Sequence, residues 1–494
     1  MISYKILGLL VFTTLSSAQA KRNIANIQGP PELSDLLKAS EEILYAVESP
    51  SFDNKLCKSY LGLLEKNLDA LDLKMLPLED LKNQAQRIAD NSWKIRSILH
   101  SRLTEFDQEC VYQIQANFRQ FRFVEDYLLE IANQVKHLSP SQIEFQKQPI
   151  PMRDSTPNYY VTRTTELGKD LKFEDGDVLV TRGVSFLSGM IARLGSRATQ
   201  FSHIVFINKN DKTQELKTIE SYVGVGVAFY DFDFALKNEN ARILWLRSKD
   251  KLLAKKAANK ISALVKSRLE SQNPIKYDYE LNFNDPTTMS CAEVSQVAFA
   301  MATDGKFTIP YYKNEIKGSE SLVSRLKIVP GPTFEPGDME IDPRFDLLGE
   351  FQDLRLTRDS RQKDAIMSEV FRWMNEYEYQ LVDSAKSKMA GGIIWKVRRT
   401  FLWPLVKKAL KLDDFSKEIP SNMLSTVTLI NQIGEILVQE MKMMDLSYEK
   451  KHGVPMSGIE MSQALERYRL DDLSRYQNKR TRKLSKIHSM LRAK

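Results

Sequence analysis

Cysteine and histidine are both scarce in these 494 residues, with three of the first and five of the second. In the middle of the chain His203 is the only histidine and Cys291 the only thiol. One of each does not make a zinc site, so no metal is expected. Long apolar runs are missing too. Past the first 20 residues nothing approaches the ~20 consecutive apolar residues of a spanning helix. No cysteine follows the early apolar run Ile6 to Leu15, so a lipid anchor has no acceptor there. Repeat periods and low-complexity tracts are absent as well.

What is there begins with Lys5, that short apolar run, and the small residues Ser16-Ser17-Ala18-Gln19-Ala20. This order describes a secretory signal peptide over 1–20, cleaved after Ala20. A periplasmic or secreted location follows as the expectation. The formal charge of +7 suits anionic envelope or membrane surroundings, and export makes nucleic acid a poor partner. The length suggests about three domains.

Residues 31–145 read as a helical bundle, with few glycines and apolar residues at three- and four-residue steps such as Leu36, Leu37, Ile43, Leu44 and Val47. Ser34 is the expected first cap, and Pro77-Leu78-Glu79-Asp80 the start of a later helix. Trp93, Ile95, Ile98 and Leu99 are expected on one core-facing side. Cys57 and Cys110 both fall in this bundle, where an oxidising compartment would join them and leave Cys291 free. A proline-punctuated linker, 146–161, follows.

The texture then changes. Asp177 to Thr181, Phe201 to Ile207, Glu215 to Ser221 and Arg242 to Arg247 are short β-branched and aromatic runs, which predict strands. Val184 to Leu194, Lys251 to Leu269 and a stretch from Ser290 predict helices. The expected fold is therefore α+β over 162–317, flanked by all-α regions. Beyond Pro343 the pattern predicts a helical region, 343–494, broken at Gly391-Gly392 and Pro404 and ending in a basic tail. That tail reads as a solvated basic helix or an attachment to an anionic surface. Segment 391–412, with Trp395 and Trp403 among lysines and arginines, could pack on its own domain or lie in a membrane interface.

The chemistry-bearing residues lie on these elements. His203 sits in the second predicted strand, and the turn formers Asn208 to Asp211 should fold it back onto the strand from Glu215. Pairing about a centre near Asp211 places Glu220 opposite Ser202 or His203, close enough to orient the imidazole. Cys291 falls in the first turn of its helix, where unpaired N–H groups and the helix dipole favour a thiolate and could hold an oxyanion. Glu293, in the same turn, is expected to cap.

The ordered set Gly176-Asp177, Ser202-His203-Ile204, Ile219-Glu220-Ser221, Tyr277-Asp278-Tyr279 and Ser290-Cys291-Ala292-Glu293-Val294 resembles the circularly permuted papain-like cysteine hydrolases of the NlpC superfamily, in particular the YiiX-like branch. The likeness spans about Gly168 to Ile316. It departs at Ala292-Glu293-Val294, where the branch commonly shows Ser-Glu-Leu. The resemblance implies Cys291 as nucleophile, His203 as base and Glu220 as third polar residue, with Tyr277 and Ser290 as lesser candidates for substrate or oxyanion support. It also implies acyl transfer through a thioester, which needs no metal or organic cofactor. An exported relative points to peptide or murein amides, whereas acyltransferase relatives point to lipid substrates at a membrane surface. An envelope scaffold with little turnover is the competing class; the set Cys291, His203 and Glu220 argues against it.

Overall fold

A computed structural model describes residues 29–134, 158–161, 172–383 and 420–493, less 198, 211, 238–239, 284, 286, 317–319 and 330. The periodicity of the amino-terminal region becomes four helices: α1 (Leu36–Glu48), α2 (Asn54–Asp69), α3 (Leu78–Ser101) and α4 (Gln108–Gln134). The α1 cap is Asp35 rather than Ser34, its carboxylate accepting the Lys38 N–H at 3.1 Å. The start of α3 is as expected, with Pro77 before it and Glu79 and Asp80 in the first turn. A disulfide joins Cys57 of α2 to Cys110 of α4, with Cα atoms 5.8 Å apart. Trp93 departs from the expected face. Ile95 and Leu99 pack inside the bundle, whereas Trp93 packs among sheet residues such as Val178, Val180 and Leu244. Two residues along a helix rotate the side chain by about 200°, so α3 serves two cores.

The chain then lays down β1 (Asn158–Val161), β2 (Val178–Gly183), α5 (Phe186–Ile191), β3 (His203–Lys209), β4 (Leu216–Tyr222), β5 (Gly226–Asp231), α6 (Phe232–Lys237) and β6 (Asn240–Ser248). It continues through α7 (Lys251–Glu270), α8 (Cys291–Ala302), β7 (Asn314–Glu315), α9 (Glu320–Leu326), β8 (Pro332–Thr333) and β9 (Phe345–Gln352). Seven strands form one antiparallel sheet in the order β1-β9-β6-β2-β3-β4-β5, and β7 pairs with β8 separately. The fold is mixed α+β, with helices packed on an antiparallel sheet. Two strands lie outside the boundaries expected for it. β1 falls in the predicted linker 146–161, and β9 in the region 343–494 predicted to be helical. Since β9 lies between β1 and β6, the domain does not close at 317.

Period-two alternation gives the sheet two apolar faces. Val178, Val180, Ile204, Phe206 and Ile219 meet α7 and α8 through Ile261, Val265, Val294, Ala298 and Phe299. Leu179, Val205, Ile207 and Ile243 point the other way, with Trp245 and Phe173. The Gly176-Asp177 pair is structural. Buried Asp177 accepts Trp245 Nε1 at 2.8 Å and Arg247 Nε at 2.7 Å. Gly176 takes φ +76°, and a Cβ there would come within 2.5 Å of the Ala254 carbonyl oxygen.

Buried charges fasten the bundle to the sheet. Arg96 of α3 binds Glu125 of α4 at 2.8 Å and also Glu350 of β9. Arg242 of β6 binds Asp126 at 2.5 Å, Glu125 at 3.3 Å and Glu350. Glu350, Glu125 and Arg96 are all fully buried in this network.

Beyond the sheet come α10 (Thr357–Glu376), β10 (Tyr379–Leu381), α11 (Ser421–His452), α12 (Gly458–Gln477) and β11 (Leu491–Ala493). They share one apolar core with α5 and α9 through Phe186, Leu322, Trp373, Ile430 and Leu465. The basic tail is only partly a solvated helix. Arg469 is buried against Glu466 and Tyr379, His488 is buried against Asp472, and β11 returns to pair with β10. Arg475, Lys479, Arg480, Arg482 and Lys483 remain exposed. Segment 391–412 lies outside the described residues. No described helix is long and apolar enough to cross a membrane.

Candidate active site

His203 is the first residue of β3 and Cys291 the first of α8. Both groups therefore stand at the ends of their elements, where one cleft of about 350 Å³ is lined by Ser202, His203, Tyr222, Tyr277 and Cys291 among others. The hairpin that carries the histidine is registered differently from the sequence expectation. Phe206 pairs with Ile219 and Ile207 with Thr218, a register that sets Glu220 across from Val205 rather than Ser202 or His203. The turn runs further along the chain than Asp211, since the Asn210 N–H donates to the Glu215 carbonyl and Gln214 takes φ +60°. Glu220 nevertheless reaches the imidazole diagonally, because positions two apart share a face.

The resulting carboxylate is fully buried and surrounded by donors. His203 Nε2 lies 2.8 Å from Glu220 Oε2. The Tyr222 hydroxyl donates to the same oxygen at 2.8 Å, and the Thr218 hydroxyl to Oε1 at 2.5 Å. Tyr222 also stacks on the histidine, with ring centroids 4.7 Å apart and planes inclined by 27°. With Nε2 committed to Glu220, Nδ1 is the ring nitrogen left for the sulfur. Burial disfavours the imidazolium, but hydrogen bonds with Cys291 and Glu220 and their charges outweigh it, and the His203 pKa is pushed up to about 10. A histidine in that state carries its proton at neutral pH.

Cys291 is buried, 6% exposed, and its Sγ lies 3.9 Å from the Ser202 carbonyl oxygen, a weak contact. Ser290 precedes the helix, and Glu293 accepts the Ser290 N–H at 2.6 Å, the capping role expected of it. For Ser290, a candidate for substrate or oxyanion support, this commits the backbone donor. Its N–H is taken by the cap, and its buried hydroxyl, though in a capping-box arrangement, makes no hydrogen bond of ordinary geometry. Ser290 lines a second, narrow apolar pocket and not the cleft. Tyr277 lines both spaces beside Cys291. Burial first, and then the Cys291 charge, push its phenol well above the ordinary value, so it stays a donor.

The second pocket, about 70 Å³, adjoins Cys291 and is walled by Leu187, Met190, Leu194, Leu281, Leu326 and Met423. Asp278 also lines it, and Glu293 is the neighbouring carboxylate paired with it. Burial pushes Glu293 up to about 7, with Asp278 adding to the rise, and burial raises Asp278 as well.

The structure thus brings Cys291, His203, Glu220 and Tyr277 together, leaves Ser290 to the helix cap, and places the Cys57–Cys110 disulfide in the bundle. Sequence reasoning missed Thr218 and Tyr222. Both stand two residues from Glu220 on its own strand, so strand periodicity was the available signal. Compared with known proteins, the chain matches no family model, no curated protein and no solved structure.

Proposed function

We propose that this protein is a cysteine hydrolase of permuted papain-like design that acts through a thioester on Cys291. The observation that carries the reading is His203, held between the buried Glu220 carboxylate and the Cys291 sulfur at an open cleft. A thiolate paired with this imidazolium attacks the substrate carbonyl carbon. His203 then gives its proton to the departing nitrogen or oxygen, leaving an acyl thioester. Water, deprotonated by His203, then attacks the thioester carbonyl carbon, and breaking the C–S bond releases the acid and restores the thiolate–imidazolium pair. The Cys291 N–H in the first turn of α8 and the Tyr277 hydroxyl are the donors for the oxyanion. The order of a histidine strand before a cysteine helix supports the permuted assignment.

Peptide or murein amides remain the substrate expected from an exported enzyme, and the Cys57–Cys110 disulfide supports an oxidising compartment. The apolar pocket beside Cys291 favours a second reading, an acyl group whose first carbons are aliphatic, carried as an ester or amide. Incubating the protein with p-nitrophenyl octanoate and with alanyl p-nitroanilide, then measuring intact mass, tests both. An acyl adduct lost in Cys291→Ala is expected. Turnover that survives Cys291→Ala and His203→Ala unchanged refutes the assignment.

A further inference from the structure

Away from Cys291, a cavity of about 570 Å³ opens between α4, α10 and α12. Its walls are largely apolar, with Leu68, Leu71, Phe123, Val124, Ile459 and Met461. One cation stands among them without a partner. Arg119 makes no hydrogen bond or ion pair with a described residue; its Nε is buried and unsatisfied, and its guanidinium rests 4.8 Å from the Phe123 ring centre. Every other charged group lining the cavity is engaged. Asp69 accepts the Gln120 amide at 2.5 Å, and Asp364 lies between Arg182 and Arg193 at 2.6 and 3.1 Å. Arg361 binds Glu130 at 2.8 Å, and Glu369 holds Arg372 at 2.6 Å. Burial pulls the Arg119 guanidinium below its ordinary value, with Asp69 opposing the shift from beyond ion-pair distance. Arg119 as a whole is only part-buried, but a donor such as its Nε, withdrawn from water with nothing accepting from it, is costly.

We propose that this cavity binds a small amphiphilic carboxylate, its headgroup on Arg119 and its apolar body along Phe123, Val124 and Met461. A single negative charge is assigned because one unpaired guanidinium faces the cavity, and a dianion would set its second charge towards Asp69. The first turn of α12, which starts at Gly458 on the cavity wall, is already capped by Ser457 and the Glu460 carboxylate, so Arg119 alone carries the preference for an anion. The site is independent of the chemistry proposed at Cys291.

Isothermal titration of octanoate into the full chain, with Cys291 first alkylated to close the other pocket, tests it. Saturable binding at one site is expected, weakened at least tenfold by Arg119→Gln. Octan-1-ol should bind wild type and variant alike. Gly458→Trp supplies a second variant that avoids removing a buried side chain, because a Cβ added at Gly458 meets no atom within 4 Å. It should block octanoate while leaving the melting temperature and the rate of Cys291 alkylation unchanged. Octanoate binding equally to all three proteins, or failing to saturate with wild type, overturns the proposal. So does octylamine binding more tightly than octanoate.

Discussion

Glu220→Gln is the sharpest perturbation of the proposed catalytic pair, because it preserves shape and changes only charge and hydrogen-bond polarity. In the native site three donors converge on two carboxylate oxygens: His203 and Tyr222 on Oε2, each at 2.8 Å, and Thr218 on Oε1 at 2.5 Å. A glutamine offers one acceptor oxygen and turns an NH2 towards the remaining donors, so at least one bond is lost whichever way the amide lies. The bond to a charged histidine matters most, since burial otherwise lowers the His203 pKa and Glu220 is among the groups that reverse it. Hydrogen bonds to charged groups contribute about 1.5–3 kcal/mol, a roughly tenfold to hundredfold effect on the imidazolium that faces the sulfur. The assay is the pH profile of iodoacetamide alkylation of Cys291 in folded protein, because a histidine held at about 10 stays charged at neutral pH even after that loss. A downward shift of the histidine limb by about one to two pH units is expected. A limb within about 0.3 pH units of wild type refutes the claim that Glu220 acts through His203, provided both proteins melt cooperatively.

The same histidine makes stability depend on pH. Because His203 binds its proton more tightly folded than unfolded, that proton stabilises the fold fully below the ordinary value of 6.5, and the contribution is lost as pH rises through about 10. The melting temperature of wild type should therefore fall more steeply between pH 7 and 10 than that of His203→Gln; parallel curves would show the proton is not held. Glu350→Gln breaks the fully buried network with Arg96 and Arg242 and should cost about 3–5 kcal/mol, read from urea unfolding. A loss below about 1 kcal/mol would mean the charges are hydrated rather than paired. Replacing Cys57 and Cys110 together with serine opens a crosslink spanning 53 residues and should cost about 4 kcal/mol by chain entropy, measured the same way. Two alkylatable thiols in unfolded, unreduced protein would contradict the bond itself.

What the sequence made legible follows the range of the interactions involved. The starts of α1 and α3, the strands β2, β3, β4 and β6, and the start of α8 are governed by local periodicity and caps, and each lies within a few residues of its expected place. The hairpin register shifted because Gln214 adopts a left-handed conformation and extends the turn, which turn-forming residues at 208–211 do not announce. β9 was unreadable for a different reason. In Phe345-Asp346-Leu347-Leu348-Gly349-Glu350-Phe351 the acidic residues suggest solvent, yet Glu350 is fully buried because Arg96 and Arg242 arrive from distant segments. Burial of a charge is decided by its partners, and those partners are nonlocal. Trp93 was misplaced on the same account: its helix side was correctly called apolar, but the surface it meets belongs to the sheet.

The site itself carries an apparent conflict that its surroundings resolve. A helix N-terminus has one positive end, and both Glu293 and a thiolate at Cys291 draw on it. Were Glu293 and Asp278 both ionised, their charges would oppose any negative charge developed on Cys291. Burial raises both carboxyl groups, Glu293 to about 7, so near neutral pH the pair retains a proton for part of the time. The cap survives this, because accepting the Ser290 N–H at 2.6 Å requires a carboxyl oxygen and not a full charge. Glu293 can therefore fix the start of α8, and with it the position of Cys291, without claiming the whole of the helix's positive end. His203, held protonated on the other side by Glu220, then faces the sulfur as the nearest full charge in the cleft. Raising the pH above about 7 ionises Glu293 before His203 loses its proton, so negative charge grows at the first turn of α8 while the imidazolium persists.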